Sequence, residues 1–220
     1  MENIDFKIYY MKRKTMLISI ESDGSVILKL PIMTKKDEID KMIKSKEKWI
    51  LNKVELVKSR TKLKIDEILY LGVAYNYKVI IQRFLTKDFI YFNGDTFYVN
   101  VKDEKNTEKV LELWFRDICE KLVHEKVEKY KRTFGILPKE IKIKTQKSRW
   151  GSCSYDNKLM LNWKLIMASE ESLEYVVVHE MCHMIHKNHS KEYWNLVSEI
   201  LPTYKVGSEW LKNNGYLLYL

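Results

Sequence analysis

One stretch constrains this chain more than any other: Val176-Val177-Val178-His179-Glu180-Met181-Cys182-His183-Met184-Ile185-His186-Lys187-Asn188-His189. It reads H-E-x-x-H, then five residues, then a further histidine. Residues four apart share one face of an α-helix, so His179 and His183 can aim their imidazoles at one cation. The run from Tyr175 to Val178 is apolar and partly β-branched, which predicts a buried helix. Buried histidines need partners, and a metal ion is the simplest partner for two at this spacing. Glu180 is not needed as a ligand. It stands within reach of a water held at the cation and suits a general base. Two helical histidines leave a catalytic zinc site one protein ligand short. His189 lies beyond the expected helix end and can fold back as the third. Lys187-Asn188 is expected to make the turn, because Asn tolerates the left-handed conformation.

Other residues compete for that third place. His186 follows His183 by three positions on nearly the same face, but three histidines in line on a straight helix wrap a tetrahedral ion poorly. It is read as a neighbour of the site, an extra ligand or an exposed side chain. Glu192 and Glu199 are weaker third ligands. Metzincins share the spacing, but they carry a glycine where this chain has His186 and need a later Met-turn. No methionine follows Met184.

At 220 residues the chain is long enough for one large domain or two small ones. The formal charge of +9 suits an anionic partner such as nucleic acid or nucleotides. A solvated lysine-rich surface is the simpler reading of it. Three cysteines, Cys119, Cys153 and Cys182, make no disulfide framework. Met1 to Lys14 is polar, and no apolar run approaches the length of a membrane span. A reduced, cytoplasmic protein without a membrane segment is expected.

Along the chain, residues 5–32 alternate as a strand followed by a hairpin turning at Asp23-Gly24. Thr34 to about Arg60 has helical spacing, with Thr34 as cap, Asp37 as its capping-box partner, and Ile39, Met42, Ile43, Trp49, Ile50, Val54 and Val57 inward. Residues 66–101 return to strands, with turns at Leu71-Gly72 and Asn93-Gly94. Thr107 to Phe134 is a second long helix closed by Gly135. Ser169 is placed to cap the metal helix, Ser190 the next and Ser208 a last short one.

The second informative stretch is Gln146-Lys147-Ser148-Arg149-Trp150-Gly151-Ser152-Cys153-Ser154, between strands at 141–144 and 159–163. A strand edge beside the metal helix can take an extended substrate as an added strand. Lys147 and Arg149 are candidates to hold a carboxylate, a phosphate or a developing oxyanion. Cys153 is a weak candidate ligand, because the histidines already complete a set.

These two stretches, with Asn188-His189-Ser190 and Tyr193-Trp194, resemble the YgjP-like family of metal-dependent hydrolases, also called the DUF45 metallopeptidase domain. That family is similar to the SprT and WLM zincin-like proteases. The resemblance covers most of the chain and implies an α+β fold as a single YgjP-like domain over residues 1–220. Residues 1–104 would form a β-rich region with a long helix, and 105–220 a zincin-like metal-binding region. It implies His179, His183 and His189 as ligands of Zn2+ or another divalent transition metal, with Glu180 as the catalytic carboxylate. Three functions follow as expectations: a zinc-dependent peptidase acting on polypeptide; a nucleotide phosphohydrolase at the same site; and a nucleic-acid-associated, metal-stapled module without turnover.

Overall fold

Gly24, Gly72 and Gly94 all adopt positive φ, at 86°, 81° and 96°, and each closes a hairpin turn. The computed structural model describes residues 5–21, 23–59 and 63–218, which fall into two compact units, 1–62 and 63–220. In the first unit, β1 (Phe6–Met11), β2 (Leu17–Ile20) and β3 (Val26–Pro31) form a sheet of order β1-β3-β2. β3 is antiparallel to β2 and parallel to β1. Helix α1 (Lys36–Lys58) contributes Ile39, Ile50 and Val54 to a small core with Val26, Leu28 and Leu30.

Two details of α1 depart from expectation. The Thr34 hydroxyl donates to Pro31 O at 2.9 Å instead of capping, and the capping carboxylate is Glu38, which accepts from Lys35 N at 3.0 Å. The helix therefore starts one residue later. Trp49, expected inward, is 43% exposed. It precedes Ile50, which fills the core position, and one helical step of about 100° turns it out of the buried stripe. The expected end near Arg60 lies outside the described residues.

The second unit opens with β4 (Glu67–Tyr70), β5 (Val73–Ile81), β6 (Phe89–Phe92) and β7 (Thr96–Val101), in the order β4-β5-β7-β6. This sheet packs on α2 (Thr107–Phe134) in the same core as residues of the later helix Glu170–Cys182. It thus belongs with the C-terminal elements by packing, although it precedes residue 105. Gly135 ends α2 at φ 65°, the left-handed terminator expected of it. A second sheet, β8 (Glu140–Lys144), β9 (Gly151–Cys153) and β10 (Lys158–Asn162), has the order β8-β10-β9, which leaves β9 at an edge. A 3-10 turn, Trp163–Met167, leads to α3 (Glu170–Cys182), α4 (Lys191–Ile200) and α5 (Tyr204–Asn214). The last helix starts at Tyr204, so Ser208 lies inside it and caps nothing. At Gly207, α5 crosses α3 so closely that a Cβ would stand 2.2 Å from Glu171 O. The architecture is α+β. Among the described residues no helix is long and apolar enough to cross a membrane.

Candidate metal centre

α3 is enclosed on most sides. Leu173, Val176, Val177, Val178, Met181 and Cys182 are buried, and the Ser169 side chain caps the helix by accepting from Ser172 N. His179 and His183 stand on one face, as the i, i+4 spacing requires. The helix ends at Cys182, with His183 as its cap, so the chain turns earlier than expected. The expected left-handed Asn188 is not found: among described non-glycine residues only Leu71 and Asn157 have positive φ. Three backbone bonds shape the turn instead, from Met184 N to Met181 O and from Ile185 N and His186 N to Cys182 O. Asn188 contributes through its side chain, whose Oδ1 accepts from Ser190 N at 3.2 Å. Ser190 then caps α4 by accepting from Tyr193 N. This helix–turn–helix returns His189 to the other two histidines.

The three ligand atoms converge. His189 Nε2 lies 3.1 Å from His183 Nε2 and 3.2 Å from His179 Nε2. The three residues form the group of possible metal ligands among the described His, Cys, Asp and Glu. Their outer nitrogens are held from behind. His183 Nδ1 lies 3.0 Å from His186 O, and a carbonyl only accepts, so Nδ1 carries the proton and Nε2 presents a lone pair. His186 thus serves the turn through its backbone. His179 Nδ1 faces the Tyr175 hydroxyl at 3.4 Å. Below the triad, Tyr193 is fully buried; its hydroxyl donates to His179 O at 3.0 Å and its ring stacks on His183. Trp194 stacks on His189. Burial, followed by the neighbouring His183 and His189, pushes His179 down to about 3, and burial also lowers His183. Neutral imidazoles are the form that binds metal.

Glu180 is 5% exposed. Loss of solvent raises its pKa to about 7, against the Arg149 guanidinium and a backbone hydrogen bond from Cys153, which both favour the carboxylate. β9 approaches so closely because residue 151 is glycine. A Cβ there would lie 2.7 Å from Glu180 Oε1 and 2.8 Å from its Cγ. Along β9, Trp150 O accepts from Asn162 N and Ser154 N donates to Lys158 O, so the even positions address β10. Gly151 and Cys153 alternate to the outer edge, on the side where Cys153 meets Glu180.

The loop before β9 is pinned by Asn162, 1% exposed, whose Nδ2 donates to Gln146 O at 2.9 Å and to Arg149 O at 3.3 Å. That loop puts Arg149 in the field of Glu180. Lys147 is exposed, and no hydrogen bond or ion pair joins it to the triad or to Glu180 among the described residues. Lys187 reaches from the histidine turn to Asn157 Oδ1 at 2.6 Å and to Ser154 O at 3.3 Å, tying that turn to the β9–β10 hairpin. The supports Gly151, Asn162, Tyr175 and Lys187 were not readable as such. The aromatic four positions before His179 was their one local signal.

Two solved structures are similar over part of the chain. The metallopeptidase zymogen abylysin of Pyrococcus abyssi aligns over 43% of this chain and 94% of its own, at 21% identity and a TM-score of 0.38. The metallopeptidase zymogen jannalysin of Methanocaldococcus jannaschii aligns over 43% and 96%, at 25% identity and a TM-score of 0.37. No curated protein matches. The family model described as "YgjP-like, metallopeptidase domain" matches residues 14–214, and with nearly its whole length inside that match, the chain belongs to the YgjP-like metallopeptidase-domain family.

Proposed function

We propose that this chain is a zincin-type peptidase, with His179, His183 and His189 as metal ligands and Glu180 as general base. The observation that carries this reading is the convergence of three imidazole nitrogens, 3.1 and 3.2 Å apart, next to a buried carboxylate. Family membership implies a metal cofactor. The donor set fits zinc: bonds of about 2.0–2.1 Å in a tetrahedron require nitrogens roughly 3.3–3.4 Å apart. Other divalent transition ions also take imidazole. When bound, the ion supplies a Lewis acid that draws electron density from the attacking water and the scissile carbonyl.

The remaining steps belong to the protein. Glu180 takes the proton of the attacking water and delivers it to the leaving amine. Arg149 favours the charged form of Glu180 against the burial that raises its pKa, and stands ready for a developing oxyanion. Apart from the Cys153 N–H that meets Glu180, the outer edge of β9 offers backbone groups to an extended polypeptide, which would lie beside the triad as an added strand. The free cysteines, Cys119, Cys153 and Cys182, suit a reducing compartment such as the cytoplasm.

Arg149 beside Glu180 supports a second reading, hydrolysis of nucleotide phosphoanhydrides at the same site. One experiment separates the two: wild type and Glu180→Gln, each with its metal content measured, are assayed on an unfolded protein and on a panel of nucleoside triphosphates. Cleavage of the unfolded protein that depends on Glu180 is expected. Glu180-dependent phosphate or pyrophosphate release without proteolysis would replace the peptidase reading with the nucleotide one. Turnover of either substrate by Glu180→Gln at the wild-type rate would remove the assigned base.

A further inference from the structure

The three imidazoles are not held equally. His179 and His183 belong to α3 and its cap, where the helix fixes their spacing. His189 is exposed and stands on the far side of a turn. Of residues 184–188 in that turn, only Met184 is buried. The other hydrogen bonds of the turn are local: its backbone N–H groups reach back to Met181 and Cys182, and the Asn188 side chain meets Ser190. Lys187 differs. Among the described residues, it alone of positions 184–189 hydrogen-bonds a segment outside 179–190, from Nζ to Asn157 Oδ1 at 2.6 Å and to Ser154 O at 3.3 Å.

The receiving end is firm. Asn157 adopts φ 62°, its N–H donates to Ser154 O at 3.1 Å, and its carbonyl accepts from Lys139 N at 2.9 Å. The Ser154 hydroxyl donates to Asp156 at 2.7 Å and accepts from Lys158 N at 2.9 Å. The same hairpin sets Gly151 and Cys153 against Glu180. Lys187 thus joins the turn bearing the third histidine to the strand that walls the proposed base.

Charge gives no reason for a lysine here. An ammonium between His183 and His189 in sequence repels a dication at the triad. It has no carboxylate within ion-pair distance among the described residues, and the nearby Asp156 is paired with Lys158 at 3.0 Å. Its two acceptors are neutral, an amide oxygen and a carbonyl, so what it contributes is geometry. A charged donor makes the stronger kind of hydrogen bond to such groups.

We infer that Lys187 is a positioning residue for the metal centre: through Asn157 and Ser154 it holds the turn that presents His189, and so sets how tightly the third histidine completes the site. The inference rests on the metal-binding reading of the triad and adds to it a residue that is not itself a ligand.

Zinc affinity of the full chain, measured by competition with a chromophoric chelator, tests it without recourse to activity. Lys187→Met keeps the aliphatic stem, removes the donor and should weaken zinc binding by about tenfold. Lys187→Arg, which can donate to both oxygens, should restore most of the affinity. The sign is decisive, because loss of the charge alone would tighten zinc binding. Asn157→Gly removes the acceptor from the other side and tolerates the positive φ. It should weaken zinc to a similar degree, and the double variant should be no weaker than either single one, since both cut the same link. Circular dichroism confirms that each variant is folded. A wild type that binds no zinc would remove the metal-centre reading and this inference with it. Zinc bound by the wild type, and equally or more tightly by folded Lys187→Met, would overturn the inference alone. So would losses in Lys187→Met and Asn157→Gly that multiply in the double variant.

Discussion

Helices α1 and α3 both carry many charged or titratable side chains and treat them in opposite ways. α1 buries a single stripe, Ile39, Ile50, Val54 and Val57, and turns its lysines to water. α3 is buried around most of its circumference and takes Glu180 inside with it. Between solvated charges, water and salt leave little interaction. Inside, each neighbour counts, and the same ordinary residue types become reagents: His179 is held neutral and Glu180 keeps its proton to about pH 7. A lysine face on one helix and an H-E-x-x-H face on another differ less in composition than in what lies over them.

The sharpest way to break this contrast is pH. A general base acts as the carboxylate, and a raised pKa means the proton is lost only near pH 7. Peptidase kcat/KM should therefore fall by about tenfold per pH unit as pH drops below the Glu180 value. A profile still flat well below that point would show that Glu180 is not the titrating base.

The same shift has a stability consequence of opposite sign. A carboxyl whose folded pKa is raised binds its proton more tightly in the folded state, so its burial cost is absent below 4.5 and complete above about 7. Metal-free Glu180→Gln should accordingly melt higher than metal-free wild type at alkaline pH, by up to about 3 kcal/mol, and lose that advantage in acid. Equal melting at both pH values would mean the carboxylate is solvated after all.

Gly151→Ala should force β9 away from Glu180 and cost about 2 kcal/mol of stability, because the added Cβ meets the side chain from Cγ to the carboxylate. Chemical denaturation measures the loss, and activity should fall with it. Ser169→Ala removes the α3 cap and should cost about 1 kcal/mol in the same assay. Lys44→Gln on the exposed face of α1 should change stability by no more than about 0.5 kcal/mol. A larger effect from Lys44 than from Ser169 would erase the distinction between the two helices.

Local geometry was legible wherever one element decides it. The helical period brings His179 and His183 together, Gly135 ends α2, and Gly24 and Gly94 close hairpins, each for a reason confined to a few residues. The return of His189 was legible in outcome but not in means, since the turn uses the Asn188 side chain where a left-handed backbone was expected. Trp49 and Ser208 were misplaced because an apolar residue or a capping residue type does not say which side of its helix, or which turn, it will occupy. Contacts between distant segments were the least readable. Nothing near Gly151 announces that Glu180 will stand against it, and nothing near Asn162 shows that its amide will hold the loop bearing Arg149. Lys147 and Arg149 looked alike in sequence, and only the folded loop separates them.

The central claim is that buried α3 holds a metal through three histidines and sets Glu180 to work beside it. Metal stoichiometry and cleavage of an unfolded protein, measured together on wild type and Glu180→Gln, test it most directly. The account predicts equimolar metal in both proteins and a loss of turnover of about a thousandfold in the variant. Metal absent from the wild type, or cleavage by Glu180→Gln at the wild-type rate, would contradict it.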